Sequence, residues 1–134
     1  MTANHSTLFE SSLKSLKFLH RGKVRDLYAV GEDQLLVIQT DRLSAFDVIL
    51  PSPIPGKGRL LTSISTKWFD FVRERGIIAD HLLSTSPEDV PGLDDAGREA
   101  VEGRMMLGRA AEVIPVECVV RGYLYGSSWR EYRA

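Results

Sequence analysis

Residues 23–40 read KVRDLYAVGEDQLLVIQT, two largely apolar runs separated by a short polar one. Both runs are rich in β-branched and large aliphatic side chains, which favour strands. Between them, residues 31–34 are Gly-Glu-Asp-Gln, a composition typical of a turn. The segment therefore predicts a β-hairpin, and its second strand, apolar almost throughout, is expected to be covered on both faces.

A cationic stretch opens this hairpin. Arg21, Lys23 and Arg25 alternate in sequence, so one strand would place all three side chains on the same face. Gly22 lies among them and allows a ligand to approach the backbone closely. The stretch predicts a lid over nucleotide phosphates, with a solvated basic face as the alternative.

Two polar segments follow the hairpin. Residues 40–47 are Thr-Asp-Arg-Leu-Ser-Ala-Phe-Asp, a density of polar groups that belongs either to a well-bonded turn or to a site. Residues 48–50 predict a short strand, which the prolines of residues 51–55 end. Lys57 then lies between two glycines, where its ammonium could reach an anion or occupy an exposed turn.

Helical periodicity is clearest in residues 60–75. The apolar residues at helical spacing are expected in the core and are Leu61, Ile64, Trp68, Phe71 and Val72. Gly76 supplies the stop signal. Residues 94–101 predict a short polar helix, and a strand is expected to begin at Met105.

The β-branched run over residues 114–120 predicts a buried strand. Glu117 and Arg121 place charges in or beside this strand, and such charges need partners. Ser128 and Glu131 have the spacing of a capping box at a helix start. The segment indicates either an anion site at a helix N-terminus or a core strand with an edge salt bridge.

Composition narrows the functional classes. The 134 residues correspond to one domain or part of one, with 17 basic and 18 acidic residues and a net charge of −1. This balance argues against nucleic-acid binding, and no apolar run is long enough for a membrane span, so we expect a cytoplasmic protein. Cys118 is the only cysteine and is expected to be buried, while the three histidines lack metal-ligand spacing.

Four stretches, in this order, closely resemble the phosphoribosylaminoimidazole-succinocarboxamide synthase (SAICAR synthetase) family of purine biosynthesis. They are residues 22–28 (GKVRDLY), 41–47 (DRLSAFD), 53–58 (PIPGKG) with Leu61-Thr62 and Trp68-Phe69 behind them, and 114–129 with Glu117, Arg121 and Gly126-Ser127. The resemblance implies an α+β fold, an antiparallel β-sheet lobe with a glycine-containing, phosphate-covering hairpin and one main packed helix, similar to the small lobe of protein kinases. Residues 1–17 are then a lead-in segment, frayed or briefly helical, and residues 18–134 the N-terminal ATP-binding lobe with the start of the substrate-binding region.

The same resemblance implies an ATP-dependent ligase that joins L-aspartate to carboxyaminoimidazole ribonucleotide and releases SAICAR, ADP and phosphate. Transfer of the γ-phosphoryl group to the substrate carboxylate would give an acyl phosphate that the amine displaces. Phosphoryl transfer depends mainly on positioning and charge neutralisation. Cations and Mg²⁺ are therefore expected, and no side chain is assigned as a catalytic nucleophile.

Site residues carry over from the family pattern one by one. Expected ATP-binding residues are Lys23, Arg25, Met106, Arg109 and Glu112. Expected substrate-binding residues are Asp41, Ser44, Asp47, Lys57, Glu117, Arg121 and Ser127. Ligands for Mg²⁺ are expected in a C-terminal half that this sequence lacks, so we expect the 134 residues alone to be inactive. The alternative is a non-catalytic nucleotide-binding lobe.

Overall fold

The computed structural model describes residues 7–134. Its strands are β1 (Lys17–Arg21), β2 (Arg25–Val30), β3 (Gln34–Gln39), β4 (Ser44–Ala45), β5 (Val48–Ile49), β6 (Leu82–Ser84) and β7 (Met105–Arg109). Its α-helices are α1 (Lys57–Glu74), α2 (Asp95–Val101) and α3 (Ser127–Arg133). Five strands form one antiparallel sheet in the order β1-β2-β3-β7-β6, and β4 pairs with β5 alone. The α+β class with an antiparallel sheet is therefore confirmed.

The expected hairpin is present as β2 and β3, with Val30 opposite Gln34 across the turn. The first of these strands begins at Arg25, two residues later than the sequence pattern suggested. Gly22 donates its N–H to the carbonyl of Arg25 at 2.8 Å, which makes residues 22–25 a tight turn between β1 and β2. Arg21, Lys23 and Arg25 therefore do not alternate on one strand, and that prediction is wrong. The hairpin that contains Gly22 is β1–β2.

The main core lies on one face of the sheet. It contains Leu13, Tyr28, Val30, Leu36, Ile38, Val90, Leu93, Val101, Met105 and Leu107. Leu8 and Leu16 pack against this cluster, so residues 7–16 are a packed cover without helix and not a frayed lead-in. Residues 1–6 of the predicted lead-in lie outside the described part of the chain.

Helix α1 contacts β3 and is confirmed as the main helix, although it starts three residues earlier than the sequence suggested. Its first turn approaches the sheet so closely that a Cβ on Gly58 would lie 2.2 Å from the Gln39 carbonyl oxygen. Buried Thr62 lies on the side that faces the sheet. Trp68 is 63% exposed, and Ile64 and Phe71 are also exposed, so the expectation of a core position for them is wrong. They occupy the opposite side of the helix.

The second helix and the last strand of the sheet follow the sequence pattern. Asp94 caps α2 by accepting the N–H of Gly97 at 2.8 Å. Strand β7 then enters between β3 and β6. At Gly108 an added Cβ would lie 2.9 Å from the His81 ring, so glycine is what permits this close approach.

The segment after β7 departs most from expectation. Residues 114–120 form no strand and are exposed, and Cys118 is exposed as well. A β-branched run becomes a strand only where it finds a pairing edge, and this segment leaves the sheet after Arg109 without one. Gly126, not Ser128, is the N-cap of α3, and no side chain caps that helix, so the capping-box prediction is also wrong. Among residues 7–134, no helix is long and apolar enough to cross a bilayer.

Candidate functional site

The tight turn of residues 22–25 places Lys23 beside a second hairpin. Lys23 Nζ lies 2.5 Å from Asp47 Oδ1, and both side chains are largely exposed. The pKa of the Asp47 carboxyl is lowered by the hydrogen bond from Lys23 and by the positive charge of that lysine. Two residues predicted for different ligands, the nucleotide and the substrate, are thus brought into direct contact.

Asp47 reaches Lys23 from a strained hairpin tip. Strands β4 and β5 are joined by Phe46 and Asp47, whose φ angles are 48° and 64°. Two successive left-handed residues match a type I′ turn, which glycine, asparagine and aspartate prefer and which a bulky aromatic residue rarely adopts. Strain of this kind is common at ligand sites. Ser44 lies half-buried on β4 opposite Ile49.

Lys57 begins α1 at a point where other positive charges are near. Burial lowers the pKa of the Lys57 ammonium, the charges of Arg25 and Arg42 lower it further, and only Asp41 opposes them. Arg25 is held by Gln39, its Nε donating to Gln39 Oε1 at 3.4 Å. An arrangement in which cations disfavour one another is favourable for an anionic ligand, because the ligand charge would offset their repulsion.

Asp41 does not face this cationic surface. Its side chain is fully buried, with Oδ1 accepting the N–H of Gly58 and Oδ2 accepting the N–H of Leu8, both at 2.8 Å. Arg104 Nη1 donates to Oδ2 as well, at 2.9 Å. The Asp41 oxygens are used to hold the start of α1, residues 7–16 and the residue before β7, so substrate binding by Asp41 stays a prediction that these contacts do not support.

Both buried carboxylates next to the site remain charged. Burial alone would raise the pKa of Asp41, but hydrogen bonds from the Gly58 and Leu8 amides and from Arg104 more than offset it, so the pKa is lowered. The pKa of Asp26 is lowered for the same reason, since Arg42 and Ser11 donate to it against the cost of burial. The structure around the site therefore depends on two ionised groups in the interior.

The residues expected near adenine do not share one surface. Met106 and Arg109 are three residues apart on β7, so their side chains point to opposite faces of the sheet. Arg109 is exposed at the end of the strand, where its N–H donates to the carbonyl of His81 at 2.9 Å. Glu112 lies beyond the strand and is exposed. Their contact with ATP remains a prediction.

The three predicted substrate contacts near the C-terminal end of the chain are also separate from the cationic turn. Glu117 and Arg121 lie in the exposed segment after β7, and Ser127 opens α3. Within the part of the chain described, their side chains form no hydrogen bond or ion pair with the cationic residues. The structure thus unites Lys23 with Asp47 and groups Arg25 with Lys57, but it leaves these three residues apart.

Three residues that support the site were not assigned from the sequence. Arg42, Asp26 and Arg104 are all buried ionic groups, with side chains no more than 2% exposed. Arg42 lies within the polar segment at residues 40–47. The density of polar groups in that segment was the signal from which a role for Arg42 could have been predicted. Asp26 and Arg104 carry no comparable signal, because Asp26 is one carboxylate at the end of the basic stretch of residues 21–25 and Arg104 is one charge before an apolar run.

The described residues contain few groupings of metal-ligating side chains. Among residues 7–134, no group of three or more histidine, cysteine, aspartate or glutamate side chains could hold a metal ion. Asp41, the carboxylate whose charge raises the pKa of Lys57, already uses both oxygens within the protein. Residues 7–134 therefore offer no site made of three protein ligands, whereas Mg²⁺ in phosphoryl-transfer sites commonly takes one or two carboxylates together with substrate phosphates.

Solved structures with a similar fold are SAICAR synthases. The yeast (Saccharomyces cerevisiae) SAICAR synthase complexed with SAICAR superposes with a TM-score of 0.84 at 37% identity, covering 95% of this chain and 44% of the yeast chain. A Type-2 SAICAR synthetase in complex with ADP has a TM-score of 0.56 at 21% identity and covers 72% of this chain, which supports the fold alone.

Sequence relatives carry the same name. The phosphoribosylaminoimidazole-succinocarboxamide synthases of Methylococcus capsulatus and Nitrosomonas europaea are 56% and 52% identical to this chain over 95% and 96% of its length. The chain spans 42% of the length of each relative. A family model described as SAICAR synthetase matches residues 18–134. On this sequence match, and on the shared fold, the chain belongs to the SAICAR synthetase family.

Proposed function

We propose that residues 18–134 form the N-terminal nucleotide-binding lobe of an ATP-dependent ligase that joins L-aspartate to carboxyaminoimidazole ribonucleotide. The observation that carries the proposal is the surface formed by the 22–25 turn, Arg25 and Lys57, where cations gather next to an exposed backbone turn. Membership of the SAICAR synthetase family supports the reaction. The relatives crystallised with SAICAR and with ADP are consistent with it.

The chemistry explains why cations are needed. A carboxylate oxygen of the ribonucleotide attacks the γ-phosphorus of ATP, and the bond to ADP breaks. The aspartate amine then attacks the acyl carbon, inorganic phosphate leaves, and the nitrogen loses a proton. Negative charge is concentrated on phosphate oxygens throughout, so fixed positive groups stabilise the transition state.

Lys23 is suited to exchange its partner during nucleotide binding. Its contact with Asp47 joins two exposed side chains, and pairs of that kind add little stability in water. A polyphosphate carries more charge than one carboxylate and would displace Asp47 from Lys23. Asp47 would then be free to face the substrate, as the family resemblance implies.

The remaining roles follow the family pattern. We assign Lys23 and Arg25 to the ATP phosphates and Lys57 and Arg121 to the anionic groups of the ribonucleotide. Further proposed contacts are Met106, Arg109 and Glu112 for the nucleotide, and Ser44, Asp47, Glu117 and Ser127 for the substrates. We assign the Mg²⁺ ligands to the C-terminal half of the family pattern, as the family resemblance implies. We expect the enzyme to act in the cytoplasm on small-molecule substrates, without nucleic acid or membrane.

Calorimetric titration of Mg·ATP and of the imidazole ribonucleotide onto the 134-residue chain tests the assignment. In the full-length protein, Lys23→Ala should mainly weaken ATP binding and spare binding of the ribonucleotide, whereas Arg121→Ala should do the reverse. Lys67→Ala, which removes an exposed lysine on the outer side of α1, is the matched control and should change neither. Equal small effects of Lys23→Ala and Arg121→Ala on both ligands would show that the roles are wrong.

The non-catalytic nucleotide-binding lobe remains the second candidate. The separation of Glu117, Arg121 and Ser127 from the cationic turn favours it, because the substrate half of the site is not assembled in this structure. Such a lobe would bind ATP without the ribonucleotide. We expect the 134 residues alone to release no ADP, and ADP release that requires both aspartate and the ribonucleotide would contradict this expectation.

A further inference from the structure

We propose that Arg42 is a positioning residue for the nucleotide-covering turn, shaping its backbone into a row of amide donors for phosphate oxygens. The inference rests on the proposed function only in taking phosphate as the ligand of the 22–25 turn. Arg42 itself is buried and contacts no ligand surface. Its role is exerted through the main chain of the turn.

Arg42 donates hydrogen bonds to three of the four carbonyls in this turn. Its Nε donates to the carbonyl of Lys23 at 3.0 Å. Its Nη2 donates to the carbonyls of Gly22 at 2.9 Å and of Arg25 at 3.2 Å. One planar guanidinium therefore fixes the direction of several successive carbonyls, which the compact ammonium of a lysine could not do.

The fourth carbonyl, that of Val24, is held by Thr40. The Thr40 N–H and hydroxyl both donate to it, at 3.1 and 2.8 Å. Thr40 is fully buried and lies two residues before Arg42, so the same short segment holds every carbonyl from residue 22 to residue 25. The backbone conformation of the turn is thus held by the buried side chains of Arg42 and Thr40, which a ligand does not contact.

The Arg42 guanidinium also has contacts outside the turn that hold it in place. Its Nη2 pairs with Asp26 Oδ1 at 2.8 Å, and its Nη1 donates to the carbonyl of Phe9 at 2.5 Å. Asp26 also accepts the N–H and the hydroxyl of Ser11, at 2.8 and 2.7 Å. The guanidinium has little freedom to rotate, so the carbonyls it binds share that rigidity.

The direction of the carbonyls sets the direction of the amides. In a trans peptide the C=O of one residue and the N–H of the next point in opposite directions. The Gly22 and Lys23 carbonyls point toward Arg42, so the N–H groups of Lys23 and Val24 point away from it. Within residues 7–134 neither N–H meets a protein acceptor. Successive free amides beside the Lys23 side chain form a concave donor site for an anion.

The test measures binding of inorganic tripolyphosphate to the ¹⁵N-labelled 134-residue chain, following the amide signals of Lys23 and Val24. In the unaltered chain both signals should shift in a saturable way. Arg42→Lys keeps the charge but loses the multiple carbonyl contacts, and we expect about tenfold weaker binding. Thr40→Val removes one hydroxyl without changing shape, and we expect about threefold weaker binding.

Arg104→Lys is the matched control for a purely structural effect. Arg104 is as buried as Arg42 and pairs with Asp41, but it contacts no atom of the turn. The Arg104→Lys substitution should lower the unfolding midpoint in urea about as much as Arg42→Lys does. It should leave the affinity for tripolyphosphate within about twofold of that of the parent chain. The contrast between the two lysine variants separates positioning from general stability.

Three results would overturn the proposal. The first is the absence of saturable Lys23 and Val24 shifts in the unaltered chain. The second is a folded Arg42→Lys chain that binds tripolyphosphate as tightly as Arg104→Lys does. If Arg42→Lys does not fold, parent-like binding by Thr40→Val is the third. None of these readouts involves ADP release, so failure of the ligase proposal would leave them interpretable.

Discussion

Replacing Asp41 by asparagine changes one buried carboxylate oxygen into an amide nitrogen at nearly constant volume. Oδ1 can still accept the N–H of Gly58. Oδ2, however, accepts hydrogen bonds from both the Leu8 N–H and Arg104. An amide NH₂ at that position cannot accept either bond and would face two other donor groups. The amide oriented the other way would instead oppose Gly58. Either orientation leaves the Arg104 charge buried without a counter-charge.

The size of the effect follows from that unpaired charge. Removing one member of a buried ion pair costs about 3–5 kcal/mol of unfolding free energy. The unfolding free energy of a native protein is typically about 5–15 kcal/mol, so this loss is a large fraction of the total. With a urea dependence of about 2 kcal/mol per molar, the unfolding midpoint should fall by about 2 M.

Equilibrium urea unfolding, followed by tryptophan fluorescence and circular dichroism, measures this shift. Asp95→Asn is the control, because Asp95 forms an ion pair with Arg98 but its side chain is fully exposed. We expect its midpoint to equal that of the parent chain. An Asp41→Asn midpoint as high as that of Asp95→Asn would refute the reasoning. Loss of cooperative unfolding would be the extreme form of the expected result.

The pH dependence gives a second check on the same substitution. The pKa of Asp41 is lowered in the folded state, so its ionised form stabilises the fold above the unfolded pKa of about 3.9. This stabilisation is lost as pH falls from about 4 through the folded pKa. Asp41→Asn removes the dependence, so the difference in unfolding free energy between parent and variant should shrink below about pH 4. A difference that stays constant would contradict the assignment.

Gly58→Ala should lower stability by at least about 2 kcal/mol in the same urea assay, because its Cβ would lie 2.2 Å from the Gln39 carbonyl oxygen; a parent-like midpoint would contradict that close approach. Asp41→Asn should also lower the pKa of Lys57 further, since Asp41 is the charge that opposes its depression by burial, and a carbon-detected NMR titration would read the shift. Limited chymotrypsin digestion should cut first within residues 111–126, which are exposed and outside helices and strands, whereas first cleavage within the five-stranded sheet would contradict the described exposure.

Local sequence was sufficient where short-range chemistry determines the structure. The β2–β3 hairpin, the short helix α2 and the Gly76 end of α1 all depend on residues within a few positions of one another. The glycine turn was located less well, because Lys23 and Val24 are compatible with a strand in isolation. Their turn conformation depends on Arg42 and Thr40, which follow two strands later in the chain.

The rest depends on long-range packing that periodicity does not encode. The helical spacing of Ile64, Trp68 and Phe71 shows that they share a side of α1, but not whether another element covers that side. Residues 114–120 have strand composition and no pairing edge. Asp41 has the chemistry of a ligand group, and only the fold shows that Arg104, 63 residues away, uses it internally.

The position of β7 between β3 and β6 has a consequence during synthesis. Strand β3 is finished at Gln39, but its second neighbour begins only at Met105. At translation rates of about 5–20 residues per second, the roughly 65 intervening residues take about 3–13 s to emerge. For that time one edge of β3 lacks its pairing strand, and the buried carboxylate of Asp41 lacks Arg104. A nascent chain would therefore be most vulnerable to mispairing and to chaperone capture in the seconds before residue 105 leaves the ribosome.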